Sequence, residues 1–142
     1  MRLLDHVWRV AQAAARRTDA LLQLTYEISL PQLLVLRAIV AAEATGRGPL
    51  SGKDLARELQ CSCANASELV ASLVRRRWLT KARDTANRRV VRLYPTPEGR
   101  LAEHHARPLV ADCAHRVFRE ISASDQQNLV SLLENVTVGA SA

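Results

Sequence analysis

Asp84-Thr-Ala-Asn-Arg-Arg-Val-Val-Arg-Leu-Tyr-Pro-Thr-Pro-Glu-Gly99 is the stretch that decides the fold of this chain. Val90 to Tyr94 alternates apolar and polar residues, and so does Leu79 to Arg83 just before it. Period-two alternation is the mark of a half-buried strand. The interval between the two runs is wholly polar or small and carries Arg88 and Arg89. Thr96-Pro97-Glu98 then supplies a helix N-cap, a first-turn proline and an acid at the positive dipole end. Two short strands, a basic turn and an abrupt helix start are the expectation.

The reading extends outward on both sides. Upstream, Ser51-Gly-Lys-Asp54 forms a capping box opening a short helix to Leu59, whose inner face is Leu55, Ala56 and Leu59. Gln60-Cys61-Ser62 makes a turn, and Ser62 caps a second helix to Arg77. In that helix Ala66, Leu69, Val70, Leu73 and Val74 face inward, while Cys63, Asn65, Ser67, Glu68, Ser72 and Arg75 share the opposite face. Helix, turn, helix and basic hairpin in this order describe a winged helix. Further out, Leu3, Val7, Val10, Ala14, Leu21 and Leu24 fit a long amphipathic helix. Ser29-Leu-Pro-Gln32 is a capping box that opens a helix to about Ala44, with an apolar stripe of Leu33, Leu34, Leu36, Ile39 and Val40. Downstream, the helix from Thr96 is expected to reach about Glu120 with a bend near Pro108. Ser122 and Asp125 cap a last helix bearing Leu129, Leu132, Leu133 and Val136, and the Gly139–Ala142 tail is expected to fray. The fold class is therefore mainly α with a small β-hairpin wing.

Composition agrees with packed helices. Of the 142 residues 48% are hydrophobic but only 4% aromatic, so Leu, Val and Ala must build the core. Twenty Lys and Arg oppose 14 Asp and Glu, a net charge of +6. Only Lys53 and Lys81 are lysines, and arginine is the residue suited to bidentate contact with phosphate or guanine. Arg75, Arg76, Arg77, Lys81, Arg83, Arg88, Arg89 and Arg92 cluster around the hairpin, although such a cluster can also be a plain solvated face. No apolar run approaches the roughly 18 residues of a membrane span. The charged residues Asp5 and Arg9 argue against a secretory signal, and three cysteines argue against a disulfide framework. A cytoplasmic location is expected.

With these elements in order, the chain resembles the multiple-antibiotic-resistance regulator (MarR) family of winged-helix transcription factors over about residues 28 to 136. The sharpest likeness is the family's wing pattern, Asp-x-Arg followed after five residues by Leu-Thr-x-x-Gly. Here it stands as Asn87-Arg88-Arg89, then Pro95-Thr96-Pro97-Glu98-Gly99. The resemblance implies one MarR-like domain over residues 1–142, with a winged helix-turn-helix lobe at 29–99 and dimerisation helices at 1–28 and 100–142. It implies that Ser62 to Arg77 is the recognition helix and that Arg89 is the wing-tip arginine reaching a minor groove. Three residues depart from the pattern. Asn87 stands where an aspartate would brace the wing arginine, Pro95 replaces a leucine and suggests an edge strand, and Glu68 puts a carboxylate on the recognition face.

The expected DNA contacts are Ser62, Cys63, Asn65, Ser67, Ser72, Arg75, Arg88 and Arg89, while Arg77 is expected to pack or pair near the wing base. Cys63, in the first turn after the Ser62 cap, is the redox candidate because a helix dipole lowers a thiol pKa. Cys61 reads as a small buried hydrophobe. His104, His105, Asp112, Cys113 and His115 have metal-ligand character, but His105 and Asp112 lie about 10 Å apart along one helix at 1.5 Å per residue. No metal or cofactor is expected, and no phosphate loop or nucleophile motif points to an enzyme. The amphipathic terminal helices would leave apolar stripes wet in a monomer, so a two-fold homodimer is expected unless both arms fold back on their own core. The expected function is that of a homodimeric repressor on a pseudo-palindromic double-stranded DNA operator, and the resemblance implies its release by a small molecule such as an aromatic acid. The alternatives are a thiol-based redox sensor acting through Cys63, and a winged-helix protein-interaction module without DNA binding.

Overall fold

The computed structural model describes the backbone of residues 1–141 and the side chains of residues 1–136. Six helices and three strands follow in the order α1 (Arg2–Tyr26), α2 (Leu30–Ala44), β1 (Leu50–Ser51), α3 (Gly52–Glu58), α4 (Cys63–Arg75), β2 (Leu79–Arg83), β3 (Val91–Pro95), α5 (Pro97–Val117) and α6 (Ala123–Ser141). Architecture and element order are those expected of a winged helix. Both capping boxes form: Ser29 and Gln32 exchange bonds at the start of α2, as do Ser51 and Asp54 at the start of α3. Ser62 caps α4 through the Asn65 N–H at 3.1 Å, and Ser122 accepts from the Asp125 N–H at 3.1 Å.

The core is aliphatic. Leu33, Val35, Leu36 and Ile39 of α2, Leu55 of α3, Leu73 of α4 and Leu79 of β2 are all essentially inaccessible. Leu22 of α1 and Ala106 of α5 complete it. The apolar stripe of α1 lies open in the single chain, as expected. Leu3, Val7, Val10, Leu21 and Leu24 are exposed, and the buried positions are Thr18 and Leu22. In α6 the expected stripe of Leu129, Leu132, Leu133 and Val136 is exposed too. In α2, Leu34 lies at the surface and Val35 takes its place inside.

The antiparallel sheet has the order β1-β3-β2, with Leu79 opposite Pro95 and Arg83 opposite Val91. The two-residue β1, whose Leu50 pairs with Leu93, escaped sequence reading because a pair of residues carries no period. It also corrects the reading of Pro95, which ends the central strand rather than lying on an edge. β1 spans only Leu93 and Arg92, so the missing donor of Pro95 breaks no ladder bond on that side.

α4 ends two residues earlier than expected. Arg77 adopts a left-handed conformation (φ 62°), with the Arg77 N–H on the Val74 carbonyl and the Trp78 N–H on the Leu73 carbonyl. That is a Schellman closure, here without its usual glycine. The start of α5 then docks on the same turn. The Thr96 N–H reaches the Trp78 carbonyl (3.0 Å), and the Thr96 hydroxyl donates to the Arg77 carbonyl (2.7 Å). Gly99 must be glycine, because a Cβ there would stand 2.1 Å from the Trp78 carbonyl oxygen. α5 passes through Pro108 and stops at Val117, three residues short of the expected end. It carries a buried carboxylate, Glu103, held bidentately by Arg107 and approached by Arg37 at 3.9 Å. The expected frayed tail begins inside α6, whose backbone continues to Ser141, while Ala142 lies outside the described residues. Among the described residues no single helix is long and apolar enough to cross a membrane.

Candidate nucleic-acid interface

α4 buries Ala66, Val70 and Leu73 and turns Ser62, Cys63, Asn65, Ser67, Glu68 and Arg75 outward. Seven of the eight expected contact residues therefore lie where a partner could touch them, since Arg88 and Arg89 are also exposed and only Ser72 is withdrawn. The Ser62 oxygen accepts its capping bond from the Asn65 N–H, and the exposed hydroxyl keeps its proton and a second lone pair for a partner. Ser72 corrects the sequence reading outright. It is half-buried, its oxygen accepts from Gln32 Nε2 at 2.8 Å, and its proton goes to the Leu69 carbonyl at 2.6 Å.

The wing is a tight loop at Asp84–Val90. The Asp84 N–H reaches the Val90 carbonyl (2.8 Å) and the Val90 N–H reaches that of Asn87 (2.9 Å). Asn87 Oδ1 accepts from the Arg89 N–H at 3.2 Å, so its side chain shapes the turn instead of bracing a guanidinium. The bracing carboxylate is Asp84 at the wing root. Asp84 takes the Ala86 N–H and both Nε and Nη2 of Arg92, at 3.1 and 2.9 Å. Arg92 also reaches Asp54 in the α3 capping box at 3.5 Å, tying wing and helix pair together. These contacts set the acidities. The Ala86 N–H and then Arg92 hold the Asp84 carboxyl below its ordinary value, and the Ser51 cap, then Arg92, do the same for Asp54.

The basic cluster divides into two groups. Arg76 donates to the Tyr26 and Glu27 carbonyls at the end of α1 and lies 4.0 Å over the Trp78 ring. The pairing expected of Arg77 thus belongs to its neighbour. Arg83 holds the Arg88 carbonyl at 2.9 Å, and Arg92 is the wing tie. Arg75, Arg77, Lys81, Arg88 and Arg89 remain exposed, with no ion pair among the described residues. Sequence reasoning placed Gln32 in a cap and Arg76 and Arg92 in the basic cluster but missed their partners, which lie 8 to 50 positions away.

Behind α4 a cleft of about 680 Å³ opens between α1, the start of α2 and α4. Arg16 and Asp19 give it polar groups; Leu30, Leu34 and Leu69 give it apolar walls. Cys61 lines it as well and is half-buried, Cys63 is exposed and Cys113 is buried, all three as free thiols. Among the described residues no group of three His, Cys, Asp or Glu side chains is placed to hold a metal ion, and Asp112 pairs with Arg116 at 3.1 Å.

Residues 26–90 match the model of the MarR family. A MarR variant from Escherichia coli complexed with operator DNA superposes with a TM-score of 0.83 at 20% identity, covering 96% of this chain and 94% of that one. BldR, a transcriptional regulator from Sulfolobus solfataricus, gives 0.80 at 17% identity over 94% of each chain. PcaV, a regulator from Streptomyces coelicolor complexed with its natural ligand, gives 0.76 at 26% identity, covering 94% of this chain and 90% of that one. No curated protein matches the chain.

Proposed function

We propose, from the match of residues 26–90 to the MarR family model and from the MarR-type fold around them, that this protein is a homodimeric, sequence-specific DNA-binding repressor controlled by a small molecule. The observation that carries the reading is the sorting of the arginines. Arg76, Arg83 and Arg92 are used internally, while Arg75 on α4 and Arg88 and Arg89 on the wing are left to solvent. Surplus guanidinium groups on one helix and on the hairpin beside it suit a duplex, with α4 in a major groove and the wing at the flanking minor groove. A MarR relative has been seen with operator DNA in the same fold.

Dimerisation is supported by what α1 and α6 leave uncovered. Trp8 is 63% exposed, Leu132 63% and Val136 69%, among a run of further exposed aliphatics at Leu3, Leu4, Val7, Val10 and Leu129. Apolar area of that extent on two helices calls for a partner, and a second copy satisfies it with two-fold symmetry. Two α4 helices about one helical turn apart would then read a pseudo-palindromic site.

The cleft between α1, α2 and α4 is the effector site in this reading. Its apolar walls with Arg16 at the edge suit a small amphipathic acid, and PcaV is a relative crystallised with a natural ligand. A ligand that favours a dimer with displaced α4 helices would release DNA by its differential affinity for the two states. A second reading makes Cys63 the sensor, because its thiol is exposed on the first turn of α4, where an oxidised group would meet DNA. Fluorescence anisotropy on the protein's own upstream DNA, with a panel of aromatic acids and with peroxide on wild type and Cys63→Ser, tests these together. Saturable binding relieved by an acid supports the repressor; relief by peroxide that Cys63→Ser abolishes moves the switch to the thiol. Absence of sequence-selective binding would leave only a protein-interaction module.

A further inference from the structure

The cleft and the recognition helix are joined by one chain of hydrogen bonds. Asp19 of α1, on the cleft wall, accepts from the Leu30 N–H at 2.7 Å, fixing the first turn of α2. In that turn the Ser29 N–H donates to Gln32 Oε1 at 2.9 Å, and the Gln32 N–H donates to Ser29 Oγ at 3.2 Å. A backbone donor on Oε1 fixes the orientation of the amide, so its NH2 end must point the other way. It points at α4, donating to Ser72 Oγ at 2.8 Å, and the Ser72 hydroxyl donates in turn to the Leu69 carbonyl. Leu69 and Asn65, three and seven residues before Ser72, line the cleft on the same face of α4. Ser67, five residues before Ser72, lies on a different face of α4.

We propose that Gln32 is a positioning residue that pins α4 to the ligand cleft, so that displacement of Asp19 or of the α2 capping turn is transmitted to the recognition helix through Ser72. The inference rests on the effector cleft proposed above. Its physical basis is that Gln32 has both ends committed, one within α2 and one to α4. The capping turn therefore cannot shift without either dragging Ser72 or leaving part-buried polar groups unpaired. Gln32 needs no contact with DNA or with ligand for this.

The test occupies the cleft without knowledge of its natural ligand. In a Cys63→Ser/Cys113→Ala protein Cys61 is the remaining thiol, and N-phenylmaleimide adds to it. A bond forms between Sγ and one alkene carbon, the thiol proton ends on the other carbon, and nothing leaves. Intact mass verifies the adduct. DNA affinity is then measured with and without it in the parent, in Ser72→Ala and in Ser72→Thr. The adduct is expected to weaken binding about tenfold in the parent and in Ser72→Thr, and less than about twofold in Ser72→Ala, which lacks one hydrogen bond's worth of coupling. Asp19→Ala, which cuts the chain at its other end, should lose the response likewise, and Asp19→Asn, which keeps the acceptor, should restore it. Amide exchange gives a readout free of the adduct: Ser72→Ala should speed exchange along α4 several-fold and leave the α2 capping turn protected. Equal weakening by the adduct in the parent and in Ser72→Ala would overturn the pin and leave the effector cleft standing. No weakening in the parent would overturn the effector cleft, and the pin with it.

Discussion

Arg76→Ala is expected to destabilise the protein far more than removal of a surface arginine ordinarily does. Arg76 sits in a run of three arginines, yet its guanidinium donates to the Tyr26 and Glu27 carbonyls and lies 4.0 Å over the Trp78 ring. Those carbonyls close the C-terminal end of α1, where the helix dipole is negative and Glu27 holds a left-handed conformation. Bonds from a charged donor contribute about 1.5–3 kcal/mol when well buried, and at this half-exposed helix end about 1 kcal/mol each. The stack on Trp78 adds about 0.5–1 kcal/mol. The sum is about 2.5 kcal/mol, which for a chain of this size lowers Tm by about 8 °C. Arg76→Met keeps the aliphatic stem over the indole and should recover about 0.5 kcal/mol of the loss. Thermal and urea unfolding followed by circular dichroism would read this, at one fixed concentration because a dimer's Tm depends on it. A Tm loss below about 2 °C for Arg76→Ala would refute the reasoning and place Arg76 with the solvated arginines.

Gly99→Ala should cost at least about 2 kcal/mol, because its Cβ meets the backbone at Trp78 and not a yielding side chain. Helix propensity alone predicts the reverse sign, so a stabilised Gly99→Ala in urea melts would disprove the close approach. Acid should loosen the wing root in a narrow window. Asp84 and Asp54 have carboxyls held below the ordinary value of 3.8, so their contribution is complete above that pH and is lost as pH falls through the depressed values. The urea midpoint should thus fall more steeply below about pH 4 in wild type than in Arg92→Gln; parallel curves would show that Arg92 does not hold the pair. In anisotropy titrations Arg89→Ala should weaken DNA binding about tenfold. Asn87→Asp should leave binding within about threefold of wild type, since either side chain offers an acceptor to the Arg89 N–H. A clear loss with Asn87→Asp would show that the amide group itself is required.

The helices and the wing were legible because their signals are local. Ser29 with Gln32, Ser51 with Asp54, and Thr96 with Pro97 each mark a helix start within four residues, and all three form. The polarity of long-range packing was not legible. The α1 stripe at Leu3, Val7 and Val10 has the right period for burial, but period alone does not say whether a face meets this chain's core or something else. Ser72 misled for a related reason: on a helical wheel it sits among polar residues, and only Gln32, 40 positions away, turns it inward. The wing pattern points to Asn87 as the position of a brace, whereas the ion pair forms at Asp84 with Arg92, eight residues along the chain. The candidate site was therefore readable as a surface and unreadable as a set of partnerships.

If the surplus arginines of α4 and the wing neutralise DNA phosphates in a dimer, operator binding must weaken steeply as salt rises. Three such residues per protomer, Arg75, Arg88 and Arg89, make six in a dimer, which gives a slope of log K against log salt of about −5. That slope is expected on the protein's own upstream DNA, and it should nearly vanish when Arg75, Arg88 and Arg89 are changed to Ala. A slope shallower than about −2 in wild type, or one left unchanged in the triple variant, would contradict it.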